Sequence, residues 1–122
     1  MIGQLKEKVN EDASLTRRGR FVTTTFLIEV GTSQWLVSIA EGKVASVTQG
    51  PLVMPSWSFA LRASQEEWEK FWSASPRPGS NDLMALIKRR VLKAEGNVQV
   101  FMANLRYFKE SLEKLRSAGA AP

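Results

Sequence analysis

Between residues 21 and 61 the chain alternates hydrophobic and polar side chains with the two-residue period of β-strands. Four segments show this alternation: residues 21–30, 35–39, 43–48 and 57–61. The turns at Gly31 and Gly42 are short enough for hairpins, and an irregular connection over residues 50–55 precedes the fourth segment. The pattern predicts four consecutive strands in an antiparallel meander with one covered face.

From residue 64 onwards the hydrophobic period becomes that of α-helices. Ser64 and Glu67 have the spacing of a capping box, and Trp68, Phe71 and Trp72 follow on one helix face. The prolines within residues 76–79 end this helix. The first 20 residues, by contrast, predict a short polar helix followed by a loop.

Two further helices and a fifth strand are predicted near the end of the chain. Ser80 or Asn81 caps the first of these helices, and residues 91–95 form the strand. The apolar stripe of the first helix consists of Leu83, Met84 and Ile87. The last helix runs over residues 98–115, with the apolar face Val98, Phe101, Met102, Leu105, Phe108, Leu112 and Leu115. Residues 117–122 are expected to form a frayed tail.

The composition of the 122 residues removes several classes of site. The chain contains neither cysteine nor histidine, which excludes disulfides, thiol catalysis and the commonest metal ligand and general base. The acidic residues at helix starts, such as Glu66 and Asp82, complement the helix dipole whether or not they take part in catalysis, so their position does not point to an active site. We therefore expect a protein that is not an enzyme and that uses no cofactor or metal.

The three helices carry many large, flexible apolar side chains toward one sheet. These side chains either close an ordinary core or leave space above the strands for an apolar ligand. Methionines suit a pocket that changes shape, and the short middle helix between prolines suits a movable lid. The candidate ligand-binding residues are Trp68, Phe71, Trp72, Leu83, Met84, Ile87, Phe101, Met102, Leu105, Phe108 and Leu112.

Three passages of the sequence occur in the order and spacing of a known family. Residues 35–44, WLVSIAEGKV, resemble the hairpin pattern W-x-V-x-V-x-x-G-K-V of the sterol carrier protein type 2 family. Residues 91–97, VLKAEGN, are similar to its last strand and turn. Residues 59–73 match its passage from a strand into a helix. The resemblance covers about residues 21–115.

The resemblance implies an α+β fold, in which a five-stranded, mostly antiparallel sheet has helices packed on one face. It also implies a non-catalytic module that holds a lipid, fatty acid or sterol-like molecule in a tunnel between helices and sheet. Residues 1–20 then form an N-terminal helix and loop, and residues 21–116 the lipid-binding part of a single domain, 1–122. The alternative is an accessory protein that assists a lipid- or isoprenoid-handling enzyme complex.

The basic residues are concentrated after residue 76, which accounts for the whole net charge of +5. Lys88, Arg89 and Arg90 form the densest group and are the candidate contacts for an anionic headgroup, a partner enzyme or an anionic membrane surface. Nucleic acid is not an expected partner, because the aromatic residues lie on apolar faces rather than among exposed cations. The polar first ten residues do not resemble a signal peptide, so we expect a cytoplasmic protein.

Overall fold

The computed structural model describes residues 2–50, 56–73 and 76–116. A 3-10 turn precedes the first helix, and the described helices are α1 (Leu5–Asn10), α2 (Ala13–Arg18), α3 (Gln65–Phe71), α4 (Leu83–Lys88), α5 (Val98–Ala103) and α6 (Leu105–Glu113). The strands are β1 (Thr24–Val30), β2 (Ser33–Ala40), β3 (Lys43–Gln49), β4 (Phe59–Ala63) and β5 (Leu92–Gly96). These elements confirm the α+β class.

The five strands form one mixed, mostly antiparallel sheet in the order β3-β2-β1-β4-β5. The hairpins β1–β2 and β2–β3 are antiparallel, as predicted, and β4 pairs with β5 in the same way. However, β4 lies parallel to β1, with Phe26 opposite Phe59, and not beside β3. The predicted four-strand meander is therefore wrong after its third strand. β1 is the central strand of the sheet, pairs with a strand on each side, and is buried at its centre.

A β-bulge in β3 keeps its apolar residues on the covered face. Ile39 pairs with Val44, but Ser38 pairs with Ser46, so Ala45 has no partner of its own in the register. Because of this extra residue, Val44 and Val47 both pack on the core although they are three positions apart. Without the bulge, strict alternation would place Val44 and Val47 on opposite faces of the sheet.

Two helix predictions need correction. The segment after α1, predicted as a loop, contains α2, which begins because the carboxylate of Asp12 accepts a hydrogen bond from the Leu15 N–H at 3.0 Å. The predicted long C-terminal helix is two helices separated at Asn104, whose φ and ψ are −122° and 30°. There the Asn104 side chain donates to the Val100 carbonyl at 3.1 Å, in competition with the helical backbone pattern.

The helix caps were predicted in part. The Ser64 hydroxyl accepts from the Glu67 N–H at 3.2 Å, as the capping box predicts. Before α4 the cap is Asp82, whose carboxylate accepts from the Met84 N–H at 3.3 Å, and neither Ser80 nor Asn81. Of the irregular connection predicted over residues 50–55, residues 51–55 lie outside the described residues, as does the predicted frayed tail. The described helices contain at most nine residues, and none is long and apolar enough to cross a bilayer.

The N-terminal helices are joined to the C-terminal helix by ion pairs. Lys114 Nζ lies 2.5 Å from a carboxylate oxygen of Asp12, and Arg18 lies 2.5 Å from Glu110. The hydrogen bond from Lys114 lowers the pKa of Asp12 below its usual value. Partial burial raises the pKa of Glu110, but its bonds with arginines outweigh this effect and lower it. Both pairs therefore favour the folded state above the pKa of a free carboxyl group and lose this contribution in acid.

Tyr107 connects α6 to the β2–β3 turn and makes the stability of the folded protein depend on pH in the alkaline range. Its hydroxyl donates to the Gly42 carbonyl at 2.6 Å, and burial raises its pKa to about 12. Because the folded state holds this proton more tightly than the unfolded state, the contribution of Tyr107 to stability is complete below pH 10 and is lost as the pH rises to 12.

We expect the free energy of unfolding to fall by roughly 2–3 kcal/mol between pH 10 and pH 12 on account of Tyr107. Urea titrations of the wild-type protein and of Tyr107→Phe across this range measure the effect. The variant lacks the phenol and is otherwise unchanged, so its stability should decline less. Identical pH profiles for the two proteins would contradict the assignment.

Candidate functional site

Four phenylalanine rings occupy the space between the centre of the sheet and the helices. Phe26 and Phe59, from the parallel strands β1 and β4, are stacked with their ring centres 5.1 Å apart. Phe108 covers both rings edge-on, at 5.3 Å and 5.0 Å. Phe101 lies 5.4 Å from Phe59. All four side chains are at most 1% exposed, and they lie between helices and sheet, where the resemblance implies a tunnel.

A second aromatic group attaches α3 to the sheet and to α6. The rings of Trp68 and Trp72 are stacked 5.0 Å apart, and Phe71 meets Trp68 edge-on at 5.9 Å. Trp68 Nε1 donates to the Glu29 carbonyl at 2.8 Å, and Trp72 Nε1 donates to the Leu112 carbonyl at 3.1 Å. The indole N–H groups are thereby satisfied, and the rings present apolar surface to the interior.

Most of the candidate ligand-binding residues are brought together in this core. The buried members are Trp68, Phe71, Trp72, Leu83, Phe101, Phe108 and Leu112. Met84, Ile87 and Leu105 are half-buried at its margin. The expected inward orientation of Met102 is wrong, because its side chain is 46% exposed. The break at Asn104 separates α5 from α6, and Met102 lies four residues after the exposed Val98 on the outer side of α5.

Buried residues outside the candidate list lie in the same core. Phe26 and Phe59 complete the ring cluster, and Leu86 is the second buried residue of α4. The alternation in the sequence places Phe26 and Phe59 on the covered faces of their strands. It does not show that β1 and β4 are neighbours, which is what makes the two rings stack.

A groove separates α4 from α6 at the edge of the core. Met84 and Leu105 line it together with charged side chains, and its volume is about 340 Å³. Lys109 Nζ lies 3.9 Å from a carboxylate oxygen of Asp82 across this groove. We call this groove the α4–α6 seam.

Arg116, which follows α6, binds two backbone carbonyls of other segments. Its Nε donates to the Phe71 carbonyl at 2.9 Å, and its Nη2 donates to the Asn81 carbonyl at 2.8 Å. The guanidinium group also lies 4.9 Å from the centre of the Phe71 ring. One side chain after α6 therefore ties down both the end of α3 and the segment before α4.

The candidate headgroup residues are exposed at the end of α4. Arg89 is engaged, since its Nη2 lies 2.8 Å from a carboxylate oxygen of Glu67. Arg89 also lines a groove of about 800 Å³ together with Lys70, Arg77 and residues of α3. Lys88 is exposed, and Arg90 is exposed in a left-handed conformation with φ of 62°.

The chain is similar in fold to several proteins of known structure. No protein-family model matches the chain, and no curated protein matches it significantly. A crystal structure of sterol carrier protein 2 matches with a TM-score of 0.75 and 11% identity, covering 93% of this chain and 91% of the other. The ubiquinone synthesis protein UbiJ-SCP2 matches with a TM-score of 0.61 and 17% identity, with coverages of 92% and 90%.

Sterol carrier protein 2 from Yarrowia lipolytica, in its apo form, matches with a TM-score of 0.59 and 13% identity. It covers 93% of this chain, which covers 87% of it. The order of elements in these structures is thus shared over nearly the whole length despite low identity. The chain has the fold of the sterol carrier protein 2 domains.

Proposed function

We propose that this protein binds a lipid, fatty acid or sterol-like molecule without chemical conversion, between the sheet and helices α3 to α6. The observation that carries the proposal is the aromatic interior, within a fold shared with sterol carrier proteins. The side chains of this interior are apolar, and the indole N–H groups of Trp68 and Trp72 already donate to backbone carbonyls. A ligand placed there is held by burial of its apolar surface rather than by polar recognition.

The contacts among the buried aromatic rings determine how such a ligand binds. An acyl chain gains about 0.8 kcal/mol for each methylene removed from water, so ten methylenes gain roughly 8 kcal/mol. Part of this gain is offset, because the chain has to displace rings such as Phe101 and Phe108 from contacts with each other. Binding therefore requires a movement of helices, and selectivity follows the length and shape of the apolar part.

The α4–α6 seam is the proposed entry. Met84 and Leu105 supply apolar surface in this groove. An ion pair between Lys109 and Asp82, with its charged atoms 3.9 Å apart, spans it. Exposed ion pairs of this kind contribute about 0–1 kcal/mol, so they oppose opening weakly. Lys88 and Arg90 lie at the end of α4, where they are available to an anionic headgroup.

We expect the protein to take up a fluorescent fatty acid into its interior, and Phe101→Leu to bind that probe about fivefold more tightly. The smaller side chain removes ~1 kcal/mol of ring contacts that the ligand otherwise has to replace. Probe titration followed by competition with unlabelled fatty acids of increasing length measures both affinities. Native mass spectrometry of freshly purified protein would show a co-purifying ligand directly.

Phe21→Leu is the matched control for this experiment, because Phe21 is 85% exposed and lies outside the core. It should bind the probe with wild-type affinity. An apo mass together with no probe binding by the wild-type protein or by Phe101→Leu would contradict the proposal.

The second candidate is an accessory role in an enzyme complex that handles lipids or isoprenoids. It is favoured by the contacts among the buried aromatic rings and by the similarity to UbiJ-SCP2, whose name assigns it to ubiquinone synthesis. A stoichiometric enzyme partner recovered with the tagged protein, combined with absent ligand binding, would support this candidate over the carrier.

A further inference from the structure

Phe21 is an apolar side chain held out from the surface by a fixed turn. The ring is 85% exposed, although the next residue, Val22, is only 5% exposed. The Val22 N–H donates to the Gly19 carbonyl at 2.7 Å, and the Val22 carbonyl accepts from the Gly42 N–H at 3.0 Å. The backbone on this side of Phe21 is thus bonded to α2 and to the β2–β3 turn. The exposure of the ring follows from this packing and not from a loose loop.

Cationic side chains accompany the exposed ring. The Arg20 guanidinium carbon lies 4.6 Å from the centre of the Phe21 ring, and Arg20 Nη1 donates to the Arg17 carbonyl at 2.9 Å. Arg17 and Arg20 are exposed, as is Lys43, which follows Gly42 in the adjoining turn. Glu41 in the same turn contributes one negative charge. Three cations and one acid therefore leave the turn positively charged.

We infer that Arg17, Arg20, Phe21 and Lys43 form a docking surface for an anionic lipid bilayer. An aromatic ring flanked by cations matches the interfacial region of such a bilayer, where the ring enters the headgroup layer and the cations meet phosphates. A fluid headgroup layer can surround a projecting ring on all sides. This inference goes beyond the proposed ligand-binding function and does not rest on it, because none of these residues belongs to the aromatic interior.

Sedimentation of the full chain with vesicles tests the docking surface. We expect binding to vesicles of phosphatidylcholine with phosphatidylglycerol that is at least tenfold stronger than to phosphatidylcholine alone, and that weakens with added salt. Phe21→Ser should weaken this binding about fivefold, and the double variant R17E/R20E should weaken it more than tenfold. The control K6E/K93E makes the same change in net charge elsewhere and should weaken binding less than threefold.

Any one of three results would overturn the inference. One is equal binding of the wild-type protein to neutral and anionic vesicles. Another is unchanged binding of Phe21→Ser, which would leave a purely electrostatic contact of the kind an acidic protein also makes. Loss of binding in K6E/K93E equal to that in R17E/R20E would likewise contradict a local surface.

A fluorescent label gives a second, independent measurement. Because the natural chain has no cysteine, Phe21→Cys carries a single site for an environment-sensitive dye. Its emission should shift to the blue on anionic vesicles, as the dye enters the headgroup layer. The same dye at Val98→Cys, a position on α5 that is 39% exposed in the wild type, should not shift. Equal shifts at both positions would contradict docking through Phe21.

Discussion

Replacing Phe59 by alanine should lower the free energy of unfolding by about 3–5 kcal/mol. Phe59 is fully buried and its ring contacts those of Phe26, Phe101 and Phe108, at centre distances of 5.0–5.4 Å. Truncation removes these contacts and leaves a cavity in the middle of the sheet, where paired strands on both sides limit collapse. Urea denaturation followed by circular dichroism measures the loss.

Phe21→Ala is the control, because it removes the same side chain from a position that is 85% exposed. Its stability should stay within about 0.5 kcal/mol of the wild type. Similar losses in the two variants would show that Phe59 does not have a central position in the core. If Phe59→Ala fails to fold, Phe59→Leu preserves the comparison with a smaller expected loss of about 1–2 kcal/mol.

Replacing Gly42 by alanine should cost about 4 kcal/mol or more. Gly42 has φ of 81°, and a Cβ atom there would lie 2.4 Å from the Thr16 carbonyl oxygen and 2.6 Å from the Gly19 carbonyl carbon. Both atoms belong to the backbone, so relief requires α2 to move away from the β2–β3 turn. That movement would also strain the bond from Tyr107 to the Gly42 carbonyl.

Gly31→Ala separates the effect of the backbone conformation from that of the clash. Gly31 also lies in a hairpin turn with a positive φ, 60°, but a Cβ atom there would come no closer than 3.6 Å to its nearest neighbours, which belong to Gln65. Its replacement should cost about 1 kcal/mol, the ordinary penalty for alanine in this conformation. Thermal melts of the two variants give the comparison, and equal losses would contradict the close approach of α2 at Gly42.

Local elements of this protein could be predicted because local residues specify them. The alternation over residues 21–49 correctly gave the first three strands, and glycines marked both turns. The Ser64 hydroxyl caps α3 where the spacing to Glu67 predicts it. In contrast, Asn104 resembles an ordinary polar position in a helix, and its side-chain bond to the Val100 carbonyl became visible only in three dimensions.

The burial of the candidate residues was predicted better than the contacts between them. Helical periodicity identified buried residues such as Trp68, Phe71 and Phe108 correctly as facing the interior. Whether facing side chains enclose space or fill it depends on distances of about one ring width between separate elements. Periodicity within one helix carries no such distance, so it could not predict the contact of Phe108 with Phe59.

The sequence by itself determined the period of each segment, the turns, the absence of histidine and cysteine chemistry, and the faces that had to be covered. The tertiary structure decided that β4 crosses to pair in parallel with β1, since either edge of the hairpin sheet suits its alternation equally well. That pairing stacks Phe26 on Phe59 in the middle of the interior. The difference has a physical basis: hydrophobic burial selects which residues lie inside, whereas strand pairing and ring packing between distant segments select what each of them contacts.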